Sequence, residues 1–345
     1  MTNRDQSANS DPYARRRRWG LPILGLLTLA SAGLSVSLGA VDIAGEQVAA
    51  ALTGALGLDW FGEAGPQAVA VVWGIRAPRL FMGLVVGAGL AATGSVLQGM
   101  LRSDLADPQL LGIGPGAAIG AAIGSGTGGV QGAIAGGVAA GVITSFIVRR
   151  LHRRNSNDQT RLILSGVALG AVLSAWVGFV VFASNRSVVP PIEFWLLGGL
   201  AGSTWRAVGT ATVFLFVAVG ALLIAARTVD LLAVGQREAW HLGVDVDLTM
   251  TILFIVVGAA VGVTVGAVGI VGFVGLLVPF LARRLVGPLH RHLIPAAMLG
   301  GGLFLVSTDL MARLLIEPVE IPVGLITAAI GGPLFLWLAS RRRDV

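Results

Sequence analysis

The residues able to do chemistry are few and scattered. Four histidines, His152, His241, His290 and His292, stand in polar stretches between apolar runs, outside any HExxH pattern and without a Ser-His-Asp arrangement. His290 and His292 flank Arg291, but two ligands without a third make a poor metal site. All four read best as solvated loop histidines. Cysteine is absent, which removes disulfides, thiolate nucleophiles and thiolate metal sites. Lysine is absent too, so all 24 basic residues are arginine. A GxxxxGK[ST] P-loop and a Schiff-base lysine are thereby excluded. If ATP drives this protein, a partner binds it.

Asp309 is the one clear acid inside an apolar run. It lies four residues before Arg313, on the same helix face. A proton relay would need further intramembrane acids or histidines, and none accompanies it. An i,i+4 pair that orients Arg313 is the favoured reading. Gln98, late in another apolar run, either lines a pathway or bonds across helices. Arg76 and Arg79 stand either side of Pro78, directly before the run that starts at Leu80.

The elements that must hold these residues follow from composition. The 345-residue chain is 55% hydrophobic and 12% charged, with 50 glycines. Soluble domains carry about 25% charged residues. Runs near 20 apolar residues each suit membrane helices, and the alternating pattern of a membrane barrel is absent. The fold class expected is all-α, polytopic, with about ten transmembrane helices. Their approximate spans are 19–40, 80–100, 110–126, 130–148, 162–183, 207–226, 248–268, 272–286, 293–315 and 321–340. Residues 1–18 read as a cytoplasmic tail, preferred to a cleaved signal because the run after Arg18 is too long for one. Residues 19–345 form the transmembrane domain.

Nineteen arginines fall on one side of that topology and five on the other: Arg76, Arg79, Arg186, Arg206 and Arg313. The asymmetry places both termini in the cytoplasm. It also accounts for the net charge of +6 without nucleic acid. Pro78, lacking an amide donor, suits the first turn of helix two, which sets Arg76 and Arg79 at the outer rim. Small-xxx-small pairs such as Gly83/Gly87, Gly166/Gly170 and Gly258/Gly262 allow close helix approach, although 50 glycines produce such matches by chance.

The segment LLAVGQREAWHLGVDV, Leu231–Val246, is long for an inner loop. It can form two short helices separated by Gly235 and closed by Gly243. Ala239, Trp240 and Leu242 stand among charged Arg237 and Glu238. An interfacial amphipathic helix and a protein-docking helix pair both fit.

Read together, these motifs resemble the FecCD-type permeases of iron-siderophore, haem and cobalamin ABC importers. The resemblance rests on an ordered set: RAPRLFMGLVVGAGLAATGSVLQGMLR from Arg76, LADPQLLGIGPGAAIGA from Leu105, LILSGVALGA from Leu162 and FWLLGGLAGSTW from Phe194. LAVGQREAWHLGV from Leu232, GFVGLLVPFLARRLVGP, STDLMAR and EIPVGLITAAIGGPLFLWL continue it. It implies a ten-helix subunit of the cytoplasmic membrane, in contact with lipid, that pairs with a second permease. Two cytoplasmic ATPase subunits would use Mg-ATP, and an extracytoplasmic binding protein would deliver a ferric siderophore or related chelate. The subunit itself would bind no cofactor, hold no metal site and catalyse no reaction. Arg76, Arg79 and Arg313 would dock the binding protein. The ATPase contact would fall on Gly235, Arg237, Glu238, Ala239, Leu242 and Gly243. Three positions depart from the family pattern: Ser103-Asp104 for Asn-Pro, Phe280 for a frequent His, and Arg237 for a frequent acid. An ion-coupled secondary transporter is the alternative. The choice of chelate, and of homodimer or heterodimer, stays open at this level.

Overall fold

The computed structural model describes residues 13–39, 41, 43–54, 61–62, 64–154, 159–183, 197–316 and 319–340. Among them the fold is all-helical, without a strand. The helices are α1 (Ala14–Ser37), α2 (Gly45–Gly54), α3 (Pro66–Val71), α4 (Ala77–Met100), α5 (Ile113–Arg154), α6 (Gln159–Ala183) and α7 (Trp205–Ile224). Two short helices follow, α8 (Ala226–Val234) and α9 (Gln236–His241), and then α10 (Val246–Val268), α11 (Val274–Val286), α12 (His290–Leu314) and α13 (Val323–Ser340). Six helical stretches among the described residues are long and apolar enough to cross a membrane, and two shorter apolar helices, Leu164–Val180 and Val323–Trp337, accompany them. The stretch between the expected spans 162–183 and 207–226 lies mostly outside the described residues.

α5 is a hairpin. Gly128 and Gly129 leave helical geometry, Gly129 with φ 57°, a conformation that suits glycine. The two halves fold back so closely that a Cβ on Gly120 would collide with the Gly136 carbonyl, and one on Gly124 with that of Gly132. The second half packs along α10, where Gly137 and Gly141 face Gly262 and Gly258.

α4 is buried almost throughout, whereas α1 exposes Leu26 and Leu29. The central helix therefore has partners on most sides, and α1 lies at the periphery. α4 and α12 run antiparallel in one continuous register. Arg79 meets Asp309, Gly87 meets Gly301, and Gly99 meets His290. At the midpoint a Cβ on either glycine would collide with the other's backbone, the close approach that small residues permit between membrane helices.

The start of this central helix corrects the expectation. Helix begins at Pro66 rather than near Leu80, and it continues through a π turn, Val72–Arg76, into α4. Pro78 is therefore not a first-turn proline. It has no N–H for the Gly74 carbonyl, and the π turn directly before it, with Ala77 N–H donating to the Val72 carbonyl, lets the helix pass that position unbroken. Helix α1 likewise includes Arg16–Arg18, which the sequence assigns to a polar tail. Between α10 and α11 the chain breaks at Gly269 (φ 77°) and Phe273 (φ 67°). Phe273 holds a left-handed conformation uncommon outside glycine. Its ring packs where a side chain on Gly331 of α13 would stand.

Candidate functional site

One end of the α4–α12 pair, expected to face outward, carries a buried charged cluster. The Arg79 guanidinium donates from Nε to both oxygens of Asp309 at 3.0 Å and from Nη2 to Oδ1 at 2.9 Å. Its Nη1 donates to both oxygens of Glu320 at 3.0 Å. Arg313 Nε lies 3.3 Å from Asp309 Oδ2, close enough for charge attraction but not aligned as a hydrogen bond. One carboxylate thus serves two arginines from two helices, and Glu320 completes the arrangement from the loop before α13.

Further donors of the cluster go to the C-terminal end of α1, mostly to its backbone. Arg313 donates to the Ser35 carbonyl (3.1 Å), the Ser35 hydroxyl (2.8 Å) and the Leu38 carbonyl (3.3 Å). Arg76 donates to the carbonyls of Val36 (2.7 Å) and Ser37 (2.9 Å), and to that of Val41. Helix C-termini leave their last carbonyls without partners and carry partial negative charge. Two guanidinium groups supply donors for Ser35, Val36, Ser37 and Leu38 together, and so cap α1. Relative exposures of 4%, 5% and 7% for Arg76, Arg79 and Arg313 follow. The sequence places these side chains on an exposed patch; the structure turns all three inward, because a capping helix end and a buried acid lie within reach.

The opposite end of α4 holds a second polar group. Gln98, 2% exposed, bonds across helices: its amide donates to the Leu276 carbonyl at 3.0 Å, and its Oε1 accepts from Arg283 at 3.2 Å. Arg283 also pairs with Asp104. Asp104 is one of the positions that depart from the family pattern, and its charge is matched by α11. Phe280, another departure, lies under the Arg284 guanidinium at 4.7 Å. Asp107, in the turn before α5, accepts from the Gln109 N–H at 2.8 Å. Burial raises its carboxyl to about 6, against the lowering effect of the N–H groups of Gln109 and Leu110.

His290 is a correction and a residue the sequence reading missed. It is not a solvated loop histidine but 2% exposed, at the first position of α12. Its signal in the sequence was indirect: an apolar helix begins immediately after it.

The segment Leu231–Val246 forms two short helices with Gly235 between them. Ala239 is fully buried and anchors α9. Gly243 has φ 87°, and the chain then enters α10 at Asp245, whose carboxylate accepts from the Leu248 N–H at 3.0 Å. Arg237, Glu238, Leu242 and Gly243 are exposed. Trp240 and Leu242 are 65% and 67% exposed, beside an exposed Val234. The result is an elbow with a buried base and an exposed apolar tip, where the Trp240 ring meets His241 edge-on at 5.0 Å. No cluster of three or more potential metal ligands occurs among the described residues.

Residues 27–341 match the FecCD transport family. The cobalamin import system permease protein BtuC of Halobacterium salinarum is 42% identical over 281 residues, covering 80% of this chain and 75% of that protein. The hemin transport system permease protein HmuU of Yersinia pestis is 35% identical over 281 residues, covering 79% and 84%. The Fe(3+)-citrate import system permease protein YfmE of Bacillus subtilis is 33% identical over 319 residues, covering 92% and 93%. A solved structure described as a metal-chelate type ABC transporter in an inward-facing conformation superposes with a TM-score of 0.79 at 31% identity, covering 93% of this chain and 98% of that one.

Proposed function

Since the chain belongs to the FecCD transport family, we propose that it is the permease of an ABC importer that carries a metal chelate, a ferric siderophore or a chemically similar complex, into the cytoplasm. Ten crossings follow if the α5 hairpin counts twice and α6, α11 and α13 each cross. With the arginine-rich loops inside, both termini lie in the cytoplasm and the protein sits in the cytoplasmic membrane. A second permease subunit completes the pathway, two ATPase subunits dock from the cytoplasm, and a binding protein delivers the chelate from outside. Relatives named for hemin, cobalamin and Fe(3+)-citrate support the chelate class.

The elbow carries the reading of the ATPase partners. Two short helices with a buried alanine at their base and an exposed Trp240 and Leu242 at their tip suit a protein socket, since aromatic anchors at the centre of an interface carry most binding energy. Binding-protein docking belongs to the opposite rim. Three arginines against Asp309 and Glu320 leave those five side chains net positive, which favours an acidic partner. The arginines act there by shaping the rim as well as by charge. An ion-coupled carrier would need a titrating acid in the membrane, and Asp309 is instead held between Arg79 and Arg313.

The test is reconstitution into vesicles with the ATPase and binding protein, followed by uptake of labelled ferric siderophore, haem and cobalamin. ATP-dependent uptake of the siderophore is expected. Uptake by this chain alone, driven by a proton gradient, would overturn the importer reading. ATP-driven uptake of haem or cobalamin instead would overturn the siderophore assignment alone.

A further inference from the structure

The α4–α12 pair is fastened at both ends, and the inner fastening reaches the elbow. Helix α8, which leads into the elbow, packs against both α4 and α12. It carries Asp230. The Oδ1 of Asp230 accepts from the His290 backbone N–H at 2.8 Å and from the His290 Nδ1 at 2.6 Å. A carboxylate on one helix thus caps the N-terminus of another, where the unpaired N–H groups and helix dipole favour negative charge. The other ring nitrogen, Nε2, lies 3.2 Å from the Ser95 carbonyl oxygen of α4.

Both ring nitrogens therefore face acceptors, a carboxylate and a carbonyl. The slot for the ring exists because residue 99 is glycine. A Cβ there would collide with Nε2 and stand 2.6 Å from Cε1 and 2.8 Å from a methyl of Val229. A glycine inside a helix weakens it relative to alanine, so the sequence accepts a weaker helix at this point to seat the imidazole.

We propose that Asp230 and His290 are positioning residues for transport, a clamp that passes motion of the docking elbow into the α4–α12 pair and along it to the opposite rim. The pair is suited to act as one strut. From Arg79 to Gly99 the helix covers about 30 Å at 1.5 Å per residue, about the thickness of the hydrocarbon core. Over that length the helices are joined by Arg79–Asp309 at one end, by Gly87–Gly301 contact in the middle and by His290 at the other. Packed helices move as rigid bodies rather than deform. His290 is buried and so touches no partner itself; it acts through α4.

This inference rests on the importer reading, and the assembled complex tests both. His290→Gln, Asp230→Asn and Gly99→Ala are compared with the wild type for complex assembly, basal ATP hydrolysis, stimulation by chelate-loaded binding protein and chelate moved per ATP. All three variants are expected to assemble and to keep basal hydrolysis. Stimulation and chelate per ATP fall by about fivefold or more. The His290→Gln, Asp230→Asn double variant is expected to be no worse than either single, as for two halves of one contact. Wild-type stimulation in the single variants would overturn the clamp. So would losses that multiply in the double variant, or a parallel fall of assembly, basal and stimulated rates, which marks a merely structural contact. A wild-type complex that binds no ATPase would overturn the importer reading, and the clamp with it.

Discussion

Three arginines at one end of the molecule are buried, while a tryptophan and a leucine at the other end are exposed. The usual rule of charge outside and oil inside is reversed at both places. At the rim, Arg76, Arg79 and Arg313 find the unpaired carbonyls of α1 and the carboxylate of Asp309 within reach. Their charge is used to hold three helices together. At the elbow, Ala239 fills the only buried position of α9, and Trp240 and Leu242 stand outward. The contrast separates two arrangements: the charged side chains of the rim are held by internal partners, and the apolar side chains at the tip of the elbow are exposed.

That contrast can be broken experimentally. The largest effect is expected from Asp309→Asn, which leaves Arg79 and Arg313 buried beside a neutral group. A loss of about 3–5 kcal/mol is expected, read as unfolding free energy in detergent. A loss below about 1 kcal/mol, the range of exposed pairs, would mean that the rim is not held from inside. Asp107 sharpens the same point in the turn before α5. Its folded carboxyl titrates near 6, above the ordinary 3.8, so between about pH 4 and 6 the folded state binds a proton that the unfolded state has released. Stability contributed by this group therefore falls as pH rises through that window. Asp107→Asn, which keeps an acceptor for the Gln109 N–H, is expected to stabilise the protein at pH 7 by on the order of 3 kcal/mol. The gain should vanish near pH 4; an equal gain at both pH values would rule out ionisation as its cause.

Trp240→Ala tests the other region. Stability should be unchanged, while ATPase binding weakens by about 2 kcal/mol, roughly thirtyfold in Kd. Loss of stability without loss of binding would make the tip part of the fold rather than of an interface. The smallest effect belongs to Glu320→Gln. Its carboxylate is half-exposed, and about 0–1 kcal/mol is expected from its pair with Arg79. A loss as large as that of Asp309→Asn would erase the distinction between buried and exposed partners within the rim.

The elbow was legible in the sequence because its signals are local: Gly235, Gly243 and a short charged stretch between apolar runs. The Asp309–Arg313 pairing was legible for the same reason, four residues on one helix. Arg79–Asp309 was not, since its partners are distant in the chain and only helix packing brings them together. The carbonyls of α1 gave no signal at all, because backbone groups carry no letter in the sequence. His290 was misread because its neighbours, Arg291 and His292, are polar; what buries it is Asp230 and a missing Cβ at Gly99. The glycine pairs were visible as letters, but which of them met, Gly87 with Gly301 and Gly258 with Gly141, was decided by packing.

By itself, then, the sequence determined the all-helical class, the apolar runs, the family and the positions of the charged residues. Each depends on composition or on neighbours within a few residues, where hydrophobicity and helix period act directly. The tertiary structure decided what the charges do. A guanidinium in a low-dielectric interior is stable only beside acceptors, and acceptors contributed by α1, α12 and the loop before α13 exist as a set only once the helices have packed.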